Sequence, residues 1–465
     1  MARNVVLFCL DSARKDVFDE AVSRLSARAD VSFEQCRAAS SWSAPSHASM
    51  FTGRLPSQHG VHVHDRSFAK IDRSETVLGD LPDHEALGIS ANVFVSSAYG
   101  FDDWFDEFVE VSTGKRFTGG IDPNEFYVEC EVSGVRRHAG FLRAALAHDH
   151  PLQSLANGTL ATLNVLTRDA PIPKLLDDGA NTIVRESKRL TDAAEEPFFL
   201  FTNLEDTHMP HRPVWAYERD YDAPADWSSD DSEIWDVVED IDGHEEYLRR
   251  FRELYAASTS YVDRKLDALV EHIQYESDHE TTFIVTGDHG ENLGSEADEH
   301  LLGHKSSLSE GVLHVPFLLI NPPAGYEQRE TDYFSHLDLA TLIPALARGE
   351  TPDVFRDRIP AEIVGMSPGP EPPDRHEYWD RAIRCAYDGE TRWVWDSLGN
   401  RERIEIDHDR PCWQTVAEED VSIPEWATAL FDGPIDQYKA EAEKAADAVD
   451  VDAATEQRLE DLGYV

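Results

Sequence analysis

The chain has 465 residues, 41% hydrophobic and 28% charged, enough apolar material for a large core and unlike a disordered or fibrous protein. Asp and Glu number 90 against 42 Lys and Arg, a formal net charge of −48, and such a field repels phosphate. That excludes a general binder of nucleic acid or anionic membranes, and no run approaches the ~20 apolar residues of a membrane span.

The acid runs throughout, as in DWSSDDSEIWDVVEDIDGHEE (226–246), and Lys is scarce. An evenly acidic, Lys-poor surface suits high salt, where self-repulsion is screened, so a halophilic source is expected. Cys9, Cys36, Cys130, Cys385 and Cys412 are scattered, odd in number and form no C-x-x-C pair. They fit a reducing compartment and argue against a disulfide framework or a zinc–thiolate site.

The first apolar run, Asn4 to Leu10 (NVVLFCL), reads as a buried strand ending at Asp11. It has no small-residue cleavage site after it, so a cytoplasmic location is expected. SAPSHASMFTG (43–53) suits a helix start, with Ser46 as its cap. Strand-like runs recur at Ile89 to Val95, Phe198 to Thr202, Thr282 to Thr286 and Val315 to Ile320. Between them lie helical patterns, clearest at 245–273 and 336–347. Residues 104–180 and 209–243 interrupt the alternation, and the second, Pro-, Trp- and Asp-rich, reads as a lid or a solvated loop. The linker-like MSPGPEPPD (366–374) is followed by AIRCAYDGETRWVW, a hairpin pattern with an Asp-Gly turn, and by the strand RERIEI. Acidic helices are expected at 434–462.

Alternating strand and helix predicts a doubly wound α/β fold with a mostly parallel sheet over residues 1–365. A small C-terminal subdomain with an antiparallel sheet is expected over 366–465. Ligands of such sheets bind beyond the carboxyl ends of strands. Asp11, the stretch Asn203 to His208, and Asp288 with His289 all follow such ends and should converge.

The chemistry follows from the residue types. Asp11, Asp288 and His289 offer two carboxylates and an imidazole to one divalent cation, the imidazole shifting preference toward manganese or zinc. Ser43 would complete the shell, and coordination would lower its hydroxyl pKa and aim it as a nucleophile. The start of its helix presents N–H groups to an anionic ester. His208, His304 and Lys305 would contact ester oxygens, one of them protonating the leaving oxygen. His47 either faces the anion or makes a structural hydrogen bond.

Together these segments resemble the sulfatase family of the alkaline phosphatase superfamily, in an acid-rich, haloarchaeal-like form. The resemblance spans most of the chain. It includes the strand ending at Asp11, SAPSH, FTGRLPSQHG (51–60), FLFTNLEDTHMPHRP, TGDHGENLG, LGHKSSLSEG and HLDLATLIPAL. It implies an alkaline-phosphatase-like fold, a single metal, calcium by family default, and hydrolysis of a small sulfated or phosphorylated substrate. It implies Asp11, Asp288 and His289 as metal ligands, Ser43 as nucleophile, and His208, His304 and Lys305 on the ester oxygens.

There are departures. Typical members carry Cys-x-Pro-Ser-Arg, or Ser for Cys, and oxidise that first residue to formylglycine; here Ser43 holds the position and His47 replaces the Arg. Asp11-Ser12 stands for Asp-Asp, and His289 for Asn. A formylglycine hydrate expels sulfate by collapsing to the aldehyde, whereas a plain serine relies on water to cleave its intermediate, which is easier at phosphorus. Sulfate-ester hydrolysis, which the family resemblance implies, is the leading expectation. The alternative is phosphodiester or phosphonate hydrolysis, or phospho-group transfer, by unmodified Ser43. A catalytically inactive anion-binding relative is a third reading. The oligomeric state is not legible.

Overall fold

Strand β1 (Asn4–Leu10) is buried along its whole length, as a strand covered on both faces must be. Its alternate residues divide cleanly. Val5, Leu7 and Cys9 join one hydrophobic core, while Val6, Phe8 and Leu10 join the other. The computed structural model describes residues 2–112, 114–130, 135–167, 170–218, 221–232, 234–370, 372–444, 455–456 and 459.

Nine further strands follow: β2 (Val31–Arg37), β3 (Glu85–Ser90), β4 (Glu107–Glu110), β5 (Phe198–Leu204), β6 (Thr281–Gly287), β7 (Asn292–Leu293), β8 (Leu302–Gly303), β9 (Phe317–Ile320) and β10 (Arg329–Ser335). Eight of the ten form one sheet in the order β10-β2-β9-β6-β1-β5-β3-β4, and β7 pairs with β8 in a separate ribbon. All neighbours in the sheet are parallel except β9, which runs antiparallel to both β2 and β6. The apolar run expected near 315–320 is thus a strand, but in the reversed direction.

At the centre the register is level. Leu10 lies opposite Leu204 on β5 and Gly287 on β6, so the chain leaves three adjacent strands at one height. Helix Glu245–Glu276 packs Val262, Leu266 and Leu269 on one face, together with Ile183 and Leu190 of helix Ala180–Ala193. Helix Ser43–Thr52 and helix Leu339–Ala347 cover the other with Ala48, Phe51, Leu342 and Leu346.

Five antiparallel strands in sequence order form the second sheet: β11 (Pro360–Val364), β12 (Ala382–Asp388), β13 (Thr391–Asp396), β14 (Arg401–Ile406) and β15 (Gln414–Glu419). The expected hairpin is β12–β13, turning at Gly389 with φ +57°. The linker-like 366–374 lies between the paired strands β11 and β12. Helix Ile435–Lys444 seats Tyr438 and Ala442 against Val364 and Ala382; most of the remaining expected helix, 445–462, lies outside the described residues.

A buried ion cluster ties the two sheets together. Glu310 pairs with Arg37 at 2.9 Å and with Arg392 of β13 at 3.2 Å, and accepts from Tyr387 at 2.6 Å. Gln414 of β15 accepts from Arg392 at 2.6 Å and from the Glu310 amide at 2.9 Å.

Two stretches differ from expectation. The strand placed at Ile89 to Val95 runs instead over Glu85–Ser90. Asn92 ends it: its side-chain oxygen accepts from the Phe94 amide at 2.7 Å, and its own amide donates to Ser90 Oγ at 3.1 Å. Such a local side-chain turn competes with the ladder. Residues 209–243 are not a solvated loop, since Trp227, Ile234 and Val237 pack with Phe251 and Leu302. Among the described residues no helix is long and apolar enough to cross a membrane.

Candidate active site

The level strand ends set the site. Asp11 follows β1, Asp288 follows β6, and the segment after β5 carries His208. Ser12 is forced to φ +60°, a left-handed conformation costly for a residue with a Cβ. That turn points its amide at Asp288 Oδ1, 3.1 Å away, linking the first strand end to the third. Ser43 is the first residue of helix Ser43–Thr52, with Trp42 in the extended cap position. Ser46 does not cap this helix; its hydroxyl donates to the Asp288 carbonyl, pinning the helix to the strand end.

Ser43 Oγ lies 3.4 Å from Asp11 Oδ2 and 3.5 Å from His289 Nε2. His289 Nε2 is 3.4 Å from Asp288 Oδ2 and 4.0 Å from Asp11 Oδ1. One ligand atom from each of Asp11, Asp288 and His289 falls within 4.8 Å of the others, and all three residues are buried. His289 Nδ1 lies 2.8 Å from the Gly290 carbonyl, so it carries the proton and leaves Nε2 a bare lone pair facing the two carboxylates. Among the described residues Asp288 Oδ2 is buried with no hydrogen-bond partner. An orphaned carboxylate oxygen, a second carboxylate and an imidazole lone pair, all dry, fit a divalent cation.

The electrostatics agree. Burial and the neighbouring Asp11 charge push the Asp288 carboxyl well above the usual range. Burial also pushes Asp11 up, but His208, His289 and the Asn92 amide outweigh it and hold that carboxyl low. Two carboxylates this close are stable together only with added positive charge.

The opposite side of the site is equally buried, and burial together with His289, His208 and Lys305 pushes the His304 imidazole well below its ordinary pKa. His304 and Lys305 follow the β7–β8 ribbon, which sets His304 Nδ1 3.4 Å from Glu291 Oε1. The His304 ring lies 4.6 Å from that of His289 and 5.3 Å from that of His208, centroid to centroid. Lys305 Nζ donates to the Pro368 carbonyl at 2.9 Å. Burial lowers Lys305 to about 8, with Glu291 working against the shift. Glu291 itself is raised by burial to about 6.

His47 lies beneath the serine. Its Nδ1 is 2.8 Å from the Ser43 carbonyl, and its Nε2 lies 3.2 Å from Asn203 Nδ2 and 3.6 Å from Cys9 Sγ. Burial drops its pKa to about 4, so the ring is neutral and engaged on both nitrogens. The structure therefore brings Asp11, Ser43, His47, His208, Asp288, His289 and His304 around one centre, while Lys305 follows His304 in the chain with its Nζ on the Pro368 carbonyl. Sequence reasoning missed Asn92, whose amide donates to Asp11 Oδ2 at 2.6 Å and to Ser43 Oγ at 3.0 Å. It gave no separate role to Asn203 or Glu291.

Comparison with known proteins agrees with this architecture. A protein-family model described as Sulfatase matches residues 3–349. The uncharacterized sulfatase YidJ of Escherichia coli (strain K12) is 26% identical over 178 residues, which is 35% of this chain and 34% of that protein's length. Among solved structures, a 2-O GAG sulfatase superposes with a TM-score of 0.57 at 13% identity, covering 87% of this chain and 85% of its own. A phosphonate monoester hydrolase from Silicibacter pomeroyi gives 0.54 at 17% identity over 88% and 89%. One from Agrobacterium radiobacter gives 0.56 at 14% over 87% and 89%. The fold is that of the alkaline phosphatase superfamily, and with the family model covering residues 3–349 the chain belongs to the sulfatase family.

Proposed function

We propose that this protein is a metal-dependent hydrolase of sulfate esters in which Ser43, as such or oxidised to formylglycine, is the nucleophile. The observation that carries this reading is the position of Ser43 Oγ, at a helix start and within 3.5 Å of both Asp11 and His289. Asp11, Asp288 and His289 would hold the cation, with the Ser43 oxygen as a further ligand. A bound divalent ion would supply Lewis-acid stabilisation of the ester oxygens and lower the pKa of the serine hydroxyl. Calcium is the family expectation; His289 makes manganese or zinc equally compatible.

The protein's own groups do the rest. Asn92 orients Ser43 Oγ toward the ester. Lys305 and His304 face the non-bridging oxygens, where buried donors stabilise developing charge. His208 gives its proton to the leaving oxygen. His47, neutral and held on both nitrogens, fixes the backbone beneath the nucleophile.

A second reading is hydrolysis of phosphodiesters or phosphonate monoesters by unmodified Ser43. It is favoured by the imidazole ligand His289 and by the phosphonate monoester hydrolases among the solved structures that share the fold. Turnover of aryl sulfate, phosphodiester and phosphonate monoester by wild type and Ser43→Ala, with calcium or manganese, tests both. Equal turnover by the two proteins would remove Ser43 as nucleophile. An intact mass of native-source protein showing no loss of H2 at Ser43 would move the assignment to phosphorus.

A further inference from the structure

Between β4 and helix Ala180–Ala193 the chain makes a long excursion, and in the helical hairpin at its middle the charge reverses. Helix Val135–Ala147 and helix Pro151–Thr167 pack as a hairpin. Within 135–167 the charged residues are Arg136, Arg137, Arg143 and Asp149, in a chain of net charge −48. The 17-residue second helix carries no charge at all.

The hairpin is also where apolar surface is left uncovered. Six of the twelve large hydrophobic side chains exposed among the described residues lie on it: Leu142, Leu146, Leu152, Leu163, Val165 and Leu166. Leu152, Leu163 and Leu166 share one face of their helix, and Leu142 and Leu146 stand one turn apart on the other. Trp215, 63% exposed, is tied to the return from the hairpin, its amide donating to the Lys174 carbonyl. The hairpin leaves from the carboxyl end of β4, and its return ends at Asp178 and Ala180, whose amides donate to Asp206 at 3.1 and 2.9 Å. Asp206 belongs to the segment that carries His208. The excursion that carries the uncovered face thus leaves from the edge strand of the sheet and returns beside the segment that bears His208.

We propose that this hairpin docks the protein onto an anionic lipid surface. Exposed leucines on both helices, with arginines beside Leu142 and Leu146 on the first, match the make-up of helices that lie in a membrane interface. The global charge does not forbid it, because only charges within a Debye length, about 8 Å at physiological salt and about 3 Å at 1 M, act on the contact. A second copy fits less well. A two-fold contact sets a patch against itself and would bring the arginines of both copies together. The inference goes beyond the reaction class and does not depend on it.

Co-sedimentation of the full chain with phosphatidylglycerol or phosphatidylcholine vesicles tests it. Wild type should sediment with phosphatidylglycerol, and Leu163→Ser/Leu166→Ser should lower that partition about tenfold or more. Arg136→Gln/Arg143→Gln should abolish the preference for phosphatidylglycerol. Both variants should turn over a soluble aryl ester like wild type. Wild type remaining in the supernatant would overturn the proposal. So would light scattering showing twice the 52.3 kDa chain mass for wild type and the single mass for the leucine variant, since the stripe would then be a self-interface.

Discussion

The Asn92 amide donates to Ser43 Oγ at 3.0 Å and, from the same nitrogen, to Asp11 Oδ2 at 2.6 Å. One side chain thus fixes the hydroxyl relative to the carboxylate. Asn92→Ala should lower kcat by about 10²-fold, the usual cost of removing one aimed donor from a dry site. Asn92→Asp should be worse, because it adds a third buried carboxylate. Steady-state kinetics on the best ester checks both, and an unchanged kcat in Asn92→Ala would show that the amide serves only its turn.

Metal removal should be visible without any substrate. Chelator-treated protein should melt lower than protein resupplied with calcium, manganese or zinc. At a hundredfold excess over Kd the ion adds about 2.7 kcal/mol. Asp288→Asn should abolish the response. A melting midpoint indifferent to all three ions would remove the metal assignment.

Lys305 makes the pH dependence specific. Burial lowers its pKa to about 8, so the side chain is a cation below that pH and neutral above it. Binding of an anionic ester to free enzyme should weaken as pH rises through about 8, appearing as a falling limb in kcat/KM. Lys305→Arg should move that limb to higher pH. A limb unmoved by this change would assign the titration elsewhere.

Glu310 holds two buried arginines, Arg37 and Arg392, from opposite sides of the junction between the sheets. Removing its charge strands both. Glu310→Gln should destabilise by roughly 3–5 kcal/mol, measured by urea unfolding. A loss under about 1 kcal/mol would mean that water replaces the carboxylate, as it does for exposed pairs.

The legible parts of this protein were those written in local periodicity. β1 is a nearly unbroken apolar run, β5 and β6 have apolar centres, and β1 and β6 stop one residue before Asp11 and Asp288. Helix Glu245–Glu276 shows its buried stripe plainly. β2 and β10 carry glutamates, an aspartate and arginines among their apolar residues, and only tertiary packing makes them strands. β9 is apolar enough to find, but direction is set by partners, not by composition. Asn92 was hidden for a sharper reason. The sequence around it, Ile89 to Val95, is apolar enough to read as one strand, and the residue that breaks the run is the one delivered to Ser43. Asn203 lay in plain view at a strand end, yet its contact with His47 depends on a helix some 156 positions away.

The level exit of β6, β1 and β5 has a consequence for how this protein can change. Asp11, Asn203 and Asp288 hang from neighbouring rungs of one hydrogen-bonded ladder, so separating them would require one strand to slide past another. Amide protons along these strands should therefore be among the last to exchange with solvent. The excursions outside the ladder carry no such constraint, and descendants of this chain could trade them for others, acquiring new substrates while the chemistry stayed where it is.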